Sequence, residues 1–294
     1  MSAEIIDGKK IAEQIKLELK EKINLLIQKH VTPGLATILV GDNPASATYV
    51  NMKEKMCAEL GMVTKSYRLS GATREDELIL LLNELKNDPE IHGILVQLPL
   101  PAQINERNII LSIPVTKDVD GFHPLSWGKM LTGEDTFLPC TPAGIQEMLI
   151  RSGYHPEKKH VVIVGRSQIV GLPLANILVR KAAGANATVT ICHTGTPNLS
   201  DFTRQADILI AAIGRPEVIT AEMVSEKAVV IDVGVNRVEA PDTKKGYRLV
   251  GDVQFESVSQ KVRAISPVPG GVGPMTIIML MKNTVKAAAK TLKP

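Results

Sequence analysis

Tyr49 and Lys53 stand four residues apart in Val40-Gly41-Asp42-Asn43-Pro44-Ala45-Ser46-Ala47-Thr48-Tyr49-Val50-Asn51-Met52-Lys53. A strand-like run over 35–40 ends in a Gly-Asp-Asn-Pro turn, and a helical pattern opens near Ala45 or Ser46. Positions i and i+4 share one helix face, so a phenol and an ammonium are presented side by side. They follow the carboxyl end of a strand, where open α/β sheets hold their ligands. Alone, Tyr-x-x-x-Lys also describes a solvated helix face. The reading therefore depends on what else converges on that crevice.

Gly93-Ile94-Leu95-Val96-Gln97-Leu98-Pro99-Leu100-Pro101 is an apolar strand interrupted by one amide. A buried Gln must be hydrogen-bonded or it costs on the order of 1–3 kcal/mol. Gln97 fits a satisfied core amide, yet its place at a strand's carboxyl end points it towards the crevice of Tyr49 and Lys53. Lys117-Asp118-Val119-Asp120-Gly121-Phe122-His123-Pro124 sets two acids in a turn. Asp118 or Asp120 could cap that turn, or one could accept paired hydrogen bonds from an amidine-like edge such as a pterin or purine presents. No third ligand lies at usable spacing for a metal, and His123 before a proline reads as structural.

Further on, Val161-Val162-Ile163-Val164-Gly165-Arg166-Ser167-Gln168-Ile169-Val170-Gly171-Leu172-Pro173 reads as strand, glycine-containing turn and helix start. Backbone N–H groups and the helix dipole make such a turn a pyrophosphate site. The G-x-G-x-x-G fingerprint is absent, so the expectation is a modified dinucleotide loop. One βαβ step later the strand 187–192 ends in His193-Thr194, where NAD-binding folds place an acid on the ribose. With no acid there and Arg166 in the loop to meet a 2′-phosphate, NADP is expected over NAD. The span Ser266-Pro267-Val268-Pro269-Gly270-Gly271-Val272-Gly273-Pro274-Met275-Thr276 is a shaped loop running into a helix, able to bring backbone close to a ligand.

The elements that must position these groups alternate. Strands read at 35–40, 64–69, 93–98, 161–165, 187–192, 207–213 and 228–233, and helices at 8–29, 46–60, 74–87, 142–152, 171–183 and 275–291. Thr73 followed by Asp76 resembles a helix N-cap signal, and Pro274 suits a first helical position. The Val/Ile/Leu-rich strands suit parallel sheets covered on both faces, and the alternation implies doubly wound α/β architecture. At 294 residues there is length for two domains. They divide near 139–156, with the final helix returning to the first: 1–141 plus 275–294, and a Rossmann-like dinucleotide-binding domain over 142–274.

A net charge of +3 gives no footprint for nucleic acid. Glu157-Lys158-Lys159 and Lys244-Lys245 read as solvated loops. Cys57, Cys140 and Cys192 lie far apart, without metal spacing, which favours a reducing compartment over a disulfide framework. No signal-peptide core opens the sequence and no apolar run reaches membrane length. A cytoplasmic protein is expected.

Taken together, Val40–Lys53, Gly93–Pro101, Lys117–Pro124, Pro139–Gly144, Gly165–Pro173, Ile231–Asn236, Gly251–Phe255 and Pro267–Thr276 resemble, in order and over the whole chain, the bifunctional methylenetetrahydrofolate dehydrogenase/cyclohydrolase family. That resemblance implies Lys53 as the catalytic lysine, Tyr49 as the residue packing on the folate, Gln97 as the amide tuning the lysine, and Asp120 as the acid on the pterin edge. It implies Pro269, Gly270, Gly273 and Pro274 as a loop over the substrate, followed by Thr276. Arg166, Ser167 and Thr194 fall where the family binds the 2′-phosphate region, in a site also framed by Gly165, Gly171 and His193. Homodimers joined through the nucleotide domains are implied as well. One departure is Ser126, where the family commonly has Asn.

The implied chemistry is oxidation of methylene-tetrahydrofolate with NADP, then addition of water and opening to 10-formyl-tetrahydrofolate, for which a partly desolvated lysine is a suitable acid–base. Two other readings compete. A short-chain dehydrogenase also uses Tyr-x-x-x-Lys, but with the pair after its glycine loop in one domain; here the pair precedes the loop by more than a hundred residues. A non-catalytic dinucleotide-sensing protein would have no need of Lys53, Gln97 and Asp120.

Overall fold

The computed structural model describes residues 2–241, 243 and 246–292. Lys244 and Lys245 lie outside the described residues. In chain order the elements begin β1 (Glu4–Ile5), α1 (Gly8–Ile27), β2 (Gly34–Val40), α2 (Pro44–Glu59), β3 (Val63–Leu69), α3 (Glu75–Asn87) and β4 (Gly93–Val96). Helices α4 (Glu106–Ser112), α5 (Pro124–Thr132) and α6 (Cys140–Arg151) follow. Next come β5 (His160–Val164), α7 (Gly171–Val179), β6 (Thr188–Cys192), α8 (Leu199–Thr203), β7 (Ile208–Ala211) and β8 (Val229–Asp232). The last are β9 (Asn236–Glu239), β10 (Tyr247–Val250), α9 (Phe255–Ser259), β11 (Ala264–Ile265) and α10 (Val272–Ala289).

The chain forms two compact units, Gln14–Cys140 with Ile277–Pro294, and Met1–Glu13 with Thr141–Thr276. In the first, β2 lies between β3 and β4 in a parallel sheet. Every residue of β2 is buried, as a strand covered on both faces requires. Leu78, Leu82 and Leu85 recur at helical spacing on α3 and pack with Ile38 and Ile94 in the core beside this sheet. Each such side chain contributes about 1.5–3 kcal/mol on burial. The last helix joins this unit from Ile277 onward, and Gly93 leaves it room: a Cβ there would meet Val119 Cγ1 at 2.7 Å and Thr284 Oγ1 at 3.2 Å.

The second unit carries a six-stranded parallel sheet in the order β1-β11-β8-β7-β5-β6. Glu4 and Ile5, expected in the first domain, pair with Ala264 and Ile265 and so lie in this unit. Strands of two residues carry no readable period, so β1 and β11 were not legible.

Helix ends differ from expectation for local reasons. Helix α2 starts at Pro44, earlier than expected, because Asn43 Oδ1 accepts from Ala45 N (3.0 Å) and Ser46 N (3.1 Å). Thr73 does not cap α3; Glu77 instead accepts the Arg74 N–H at 3.1 Å. Helix α10 opens at Val272, so Pro274 lies within its first turn, where no N–H is needed. Strand β4 stops at Val96, although Gln97 N still donates to Ile38 O at 2.8 Å. Among the described residues no helix is long and apolar enough to cross a membrane.

Candidate active site

Ser46, Val50, Lys53 and Cys57 form the buried face of α2. Lys53 is only 7 % exposed, and a buried ammonium needs a partner. It donates to Gln97 Oε1 at 2.9 Å, while Gln97 Nε2 donates to Leu98 O at 2.8 Å. Both ends of the amide are thus occupied, which fixes its oxygen towards the lysine. Tyr49 is half-buried one turn before Lys53, and burial raises its phenol above the ordinary value, so it stays protonated at neutral pH.

The two acids left open by sequence separate clearly. Asp118 is buried and accepts from Phe122 N (3.2 Å), His123 N (2.9 Å) and Ser126 Oγ (2.8 Å). It closes the turn into α5, whose first amides His123 caps by accepting from Leu125 N at 3.1 Å. Ser126, the departure from the family pattern, therefore serves Asp118. Asp120 is half-buried and, together with Asp118, borders a cavity of about 20 Å³ walled by Ile94, Val96, Leu98 and Ile109. Burial raises its carboxyl, while the Lys53 charge and the Cys140 thiol draw it back down. Lys53, Gln97 and Asp120 thus share one cluster in the first unit.

Burial pushes Asp118 up to about 6 from 3.8, against the pull of its N–H and hydroxyl partners. Between those values the folded chain holds a proton that the unfolded chain lacks, so stability falls as pH rises through that window. The slope reaches about 1.4 kcal/mol per pH unit. Asp118→Asn should therefore flatten the pH dependence of denaturant unfolding between about pH 4 and 6; an unchanged slope would contradict the assignment.

Two neighbours escaped the sequence reading. Cys140 is buried, with its thiol held well above its ordinary value by burial and by the Asp120 charge, and it donates to Val119 O at 3.4 Å. From α10, Asn283 donates to Val119 O (2.8 Å) and Leu138 O (3.0 Å), fastening the turn that carries Asp120. Its only sequence signal is an amide on an otherwise apolar helix face.

In the second unit, Gly165 has φ +135° and a Cβ there would stand 2.1 Å from Ala212 O. A Cβ on Gly171 would stand 2.0 Å from Gly165 O. Both glycines are required for the turn to close on itself. Ser167 Oγ accepts from Val170 N (3.1 Å) and Gly171 N (3.5 Å), so it already occupies part of the helix start expected to face an anion. Gly165 N donates to Cys192 O at 2.8 Å, which brings the exposed Arg166 to a strand end neighbouring His193 and Thr194. His193 N donates to Thr196 Oγ1 and its Nδ1 accepts from Gly195 N, leaving Thr194 exposed in the turn.

Pro269, Gly270, Gly273, Pro274 and Thr276 belong to this second unit. Gly270 O accepts from Lys9 N at 3.1 Å, and a Cβ on Gly8 would lie 1.8 Å from Gly271 O, so the loop is seated against the start of α1. Thr276 Oγ1 pairs with Thr141 Oγ1 at 2.8 Å.

Residues 6–120 match the family model described as tetrahydrofolate dehydrogenase/cyclohydrolase, catalytic domain, and residues 139–292 match its NAD(P)-binding domain. The chain belongs to the tetrahydrofolate dehydrogenase/cyclohydrolase family. It is 56 % identical to the bifunctional protein FolD of Dehalococcoides mccartyi (strain CBDB1), covering 99 % of each chain. A crystal structure of FolD from Campylobacter jejuni is 48 % identical, with a TM-score of 0.93 over 99 % of this chain and 100 % of that one. FolD from Trypanosoma brucei, solved with NADP cofactor and inhibitor, is 37 % identical, with a TM-score of 0.94 and both chains covered completely. The loop at Gly165–Gly171 fits such a cofactor, since its two glycines let a tight turn close at the start of a helix with an exposed guanidinium beside it.

Proposed function

We infer that the chain oxidises 5,10-methylene-tetrahydrofolate to 5,10-methenyl-tetrahydrofolate with NADP and hydrolyses the product to 10-formyl-tetrahydrofolate. The observation that carries the reading is a buried lysine fixed by an amide near a desolvated carboxyl, in a chain of this family. NADP, when bound, supplies the hydride acceptor.

For the second step, water adds to the one-carbon cation and a proton must move before the ring opens. Lys53 is the acid–base for that transfer, and Gln97 holds its Nζ in register. Tyr49 packs on the folate and keeps its proton. Asp120 holds the pterin edge, where a carboxyl accepts paired N–H groups. Pro269, Gly270, Gly273, Pro274 and Thr276 supply the substrate loop. Gly165, Arg166, Ser167, Gly171, His193 and Thr194 hold the cofactor, with Arg166 facing the 2′-phosphate. The working form is a cytoplasmic homodimer.

Hydrolysis needs no hydride acceptor, so methenyl-tetrahydrofolate should disappear in the absence of any nucleotide. Loss of methenyl-tetrahydrofolate no faster than in buffer would overturn the cyclohydrolase reading. Removing a charge-assisted hydrogen bond costs about 1.5–3 kcal/mol, so Arg166→Gln should raise the KM for NADP at least about tenfold and leave that for NAD nearly unchanged. Equal effects on both nucleotides would remove Arg166 from the 2′-phosphate.

A further inference from the structure

The order β7-β5-β6 puts β5 between the strand that follows it in sequence and the one after that. The chain therefore reverses direction across the sheet at β5 and β7, and open α/β sheets bind ligands in the crevice between the loops at such a point. The loop after β5 is the Gly165 turn. The loop after β7 runs Ala212-Ile213-Gly214-Arg215, and the 2.1 Å approach of a Gly165 Cβ to Ala212 O shows the two in direct contact.

Three consecutive amides of the second loop converge on one buried carboxylate. Asp252 Oδ2 accepts from Ile213 N (2.6 Å) and Gly214 N (2.9 Å), and Oδ1 accepts from Arg215 N (3.1 Å) and from Asn236 Nδ2 (2.9 Å). Successive N–H groups of this kind form an anion nest, here filled from within by the chain's own acid. Asp252 is in turn held by a second buried acid. Asp232 Oδ1 accepts from Asp252 N (2.9 Å) and Gly234 N (3.0 Å), and Oδ2 accepts from Val253 N (3.0 Å). The Asp232 N–H donates to Ser266 Oγ at 2.8 Å, and Ser266 opens the loop that reaches Gly271.

Two glycines are cut to this arrangement. A Cβ on Gly234 would stand 2.1 Å from Asp252 Oδ1, and one on Gly251 would stand 1.7 Å from Asp232 Oδ2. Both acids are almost wholly buried, at 0 % and 2 % exposure for Asp252 and Asp232. A pair of carboxyls at such depth is costly unless satisfied, and the fold spends seven donor contacts on them.

We propose that Asp252 is a positioning residue for the dinucleotide: it fixes the Ile213–Arg215 wall of the cofactor crevice, while Asp232 and Ser266 tie that wall to the loop leading to Gly271. The proposal rests on the NADP reading, which binding of NADP to the wild-type chain tests separately. Asp252→Asn keeps the shape but replaces one accepting oxygen by a donor facing donors. Gly234→Ala keeps the carboxylate and displaces it.

Both variants should weaken NADP binding by about 10- to 100-fold in calorimetric titration, because the nucleotide must then order a loop wall that has lost its internal acceptor. The KM for NADP should rise with it, and the melting temperature should fall as buried donors lose their acceptor, while nucleotide-free hydrolysis of methenyl-tetrahydrofolate by the folded variants stays close to wild type. NADP affinity within about twofold of wild type in both variants would overturn the proposal. Parallel loss of NADP binding and hydrolysis in both would also overturn it, by reducing the pair to a folding element.

Discussion

Lys53→Met should lower cyclohydrolase turnover by about 10³-fold, within the range a positioned general acid–base supplies, while NADP binding persists. Methionine matches the lysine stem in length, so the buried face of α2 with Val50 and Cys57 stays filled. The ammonium is lost, and with it the donor to Gln97 Oε1. An orphaned amide oxygen costs about 1–3 kcal/mol, offset in part because no charge has to be buried. The variant should therefore fold. Its NADP affinity should be unchanged, since Gly165 and Arg166 belong to the other unit. Hydrolysis of methenyl-tetrahydrofolate at the wild-type rate would sink the assignment of Lys53.

Gly165→Ala should produce the opposite split. At φ +135° an L side chain strains the backbone by about 1–3 kcal/mol. The new Cβ would also sit 2.1 Å from Ala212 O, an atom of backbone with no freedom to swing aside. The turn must open, moving Arg166 and the start of α7 away from the crevice. Dehydrogenase activity should drop by at least about 100-fold, as about 3 kcal/mol implies. Nucleotide-free hydrolysis should stay within about threefold of wild type, under 1 kcal/mol. An alanine variant that forms NADPH normally would show that the turn is not part of the cofactor site.

Much of this was legible because the informative residues are local. Asn43-Pro44 starts a helix, so the face shared by Tyr49 and Lys53 followed from spacing alone. The Gly165 turn was readable from a strand, two glycines and an apolar helix, even without the dinucleotide fingerprint. Long-range closure was not readable. Nothing in the turn 117–124 says that Asp118 is consumed by Phe122, His123 and Ser126 while Asp120 faces Lys53; that depends on which side of the turn packs inward. Asn283 reaches Val119 from 164 residues away, and no periodicity signals that distance. Sequence order places the first residues with the first domain, and the pairing of Glu4 and Ile5 with Ala264 and Ile265 overrides it for β1. The glycines at 234 and 251 give no local signal that they admit two carboxylates, because those acids stand 18 and 19 residues away in sequence.

The two activities can be read in a single reaction: the purified chain is mixed with 5,10-methylene-tetrahydrofolate and NADP, and NADPH and 10-formyl-tetrahydrofolate are followed together, with NAD in a parallel reaction. NADPH should form, with 10-formyl-tetrahydrofolate following it, and the reaction with NAD should be slower. Binding of NADP without formation of NADPH from this substrate would rule out the dehydrogenase.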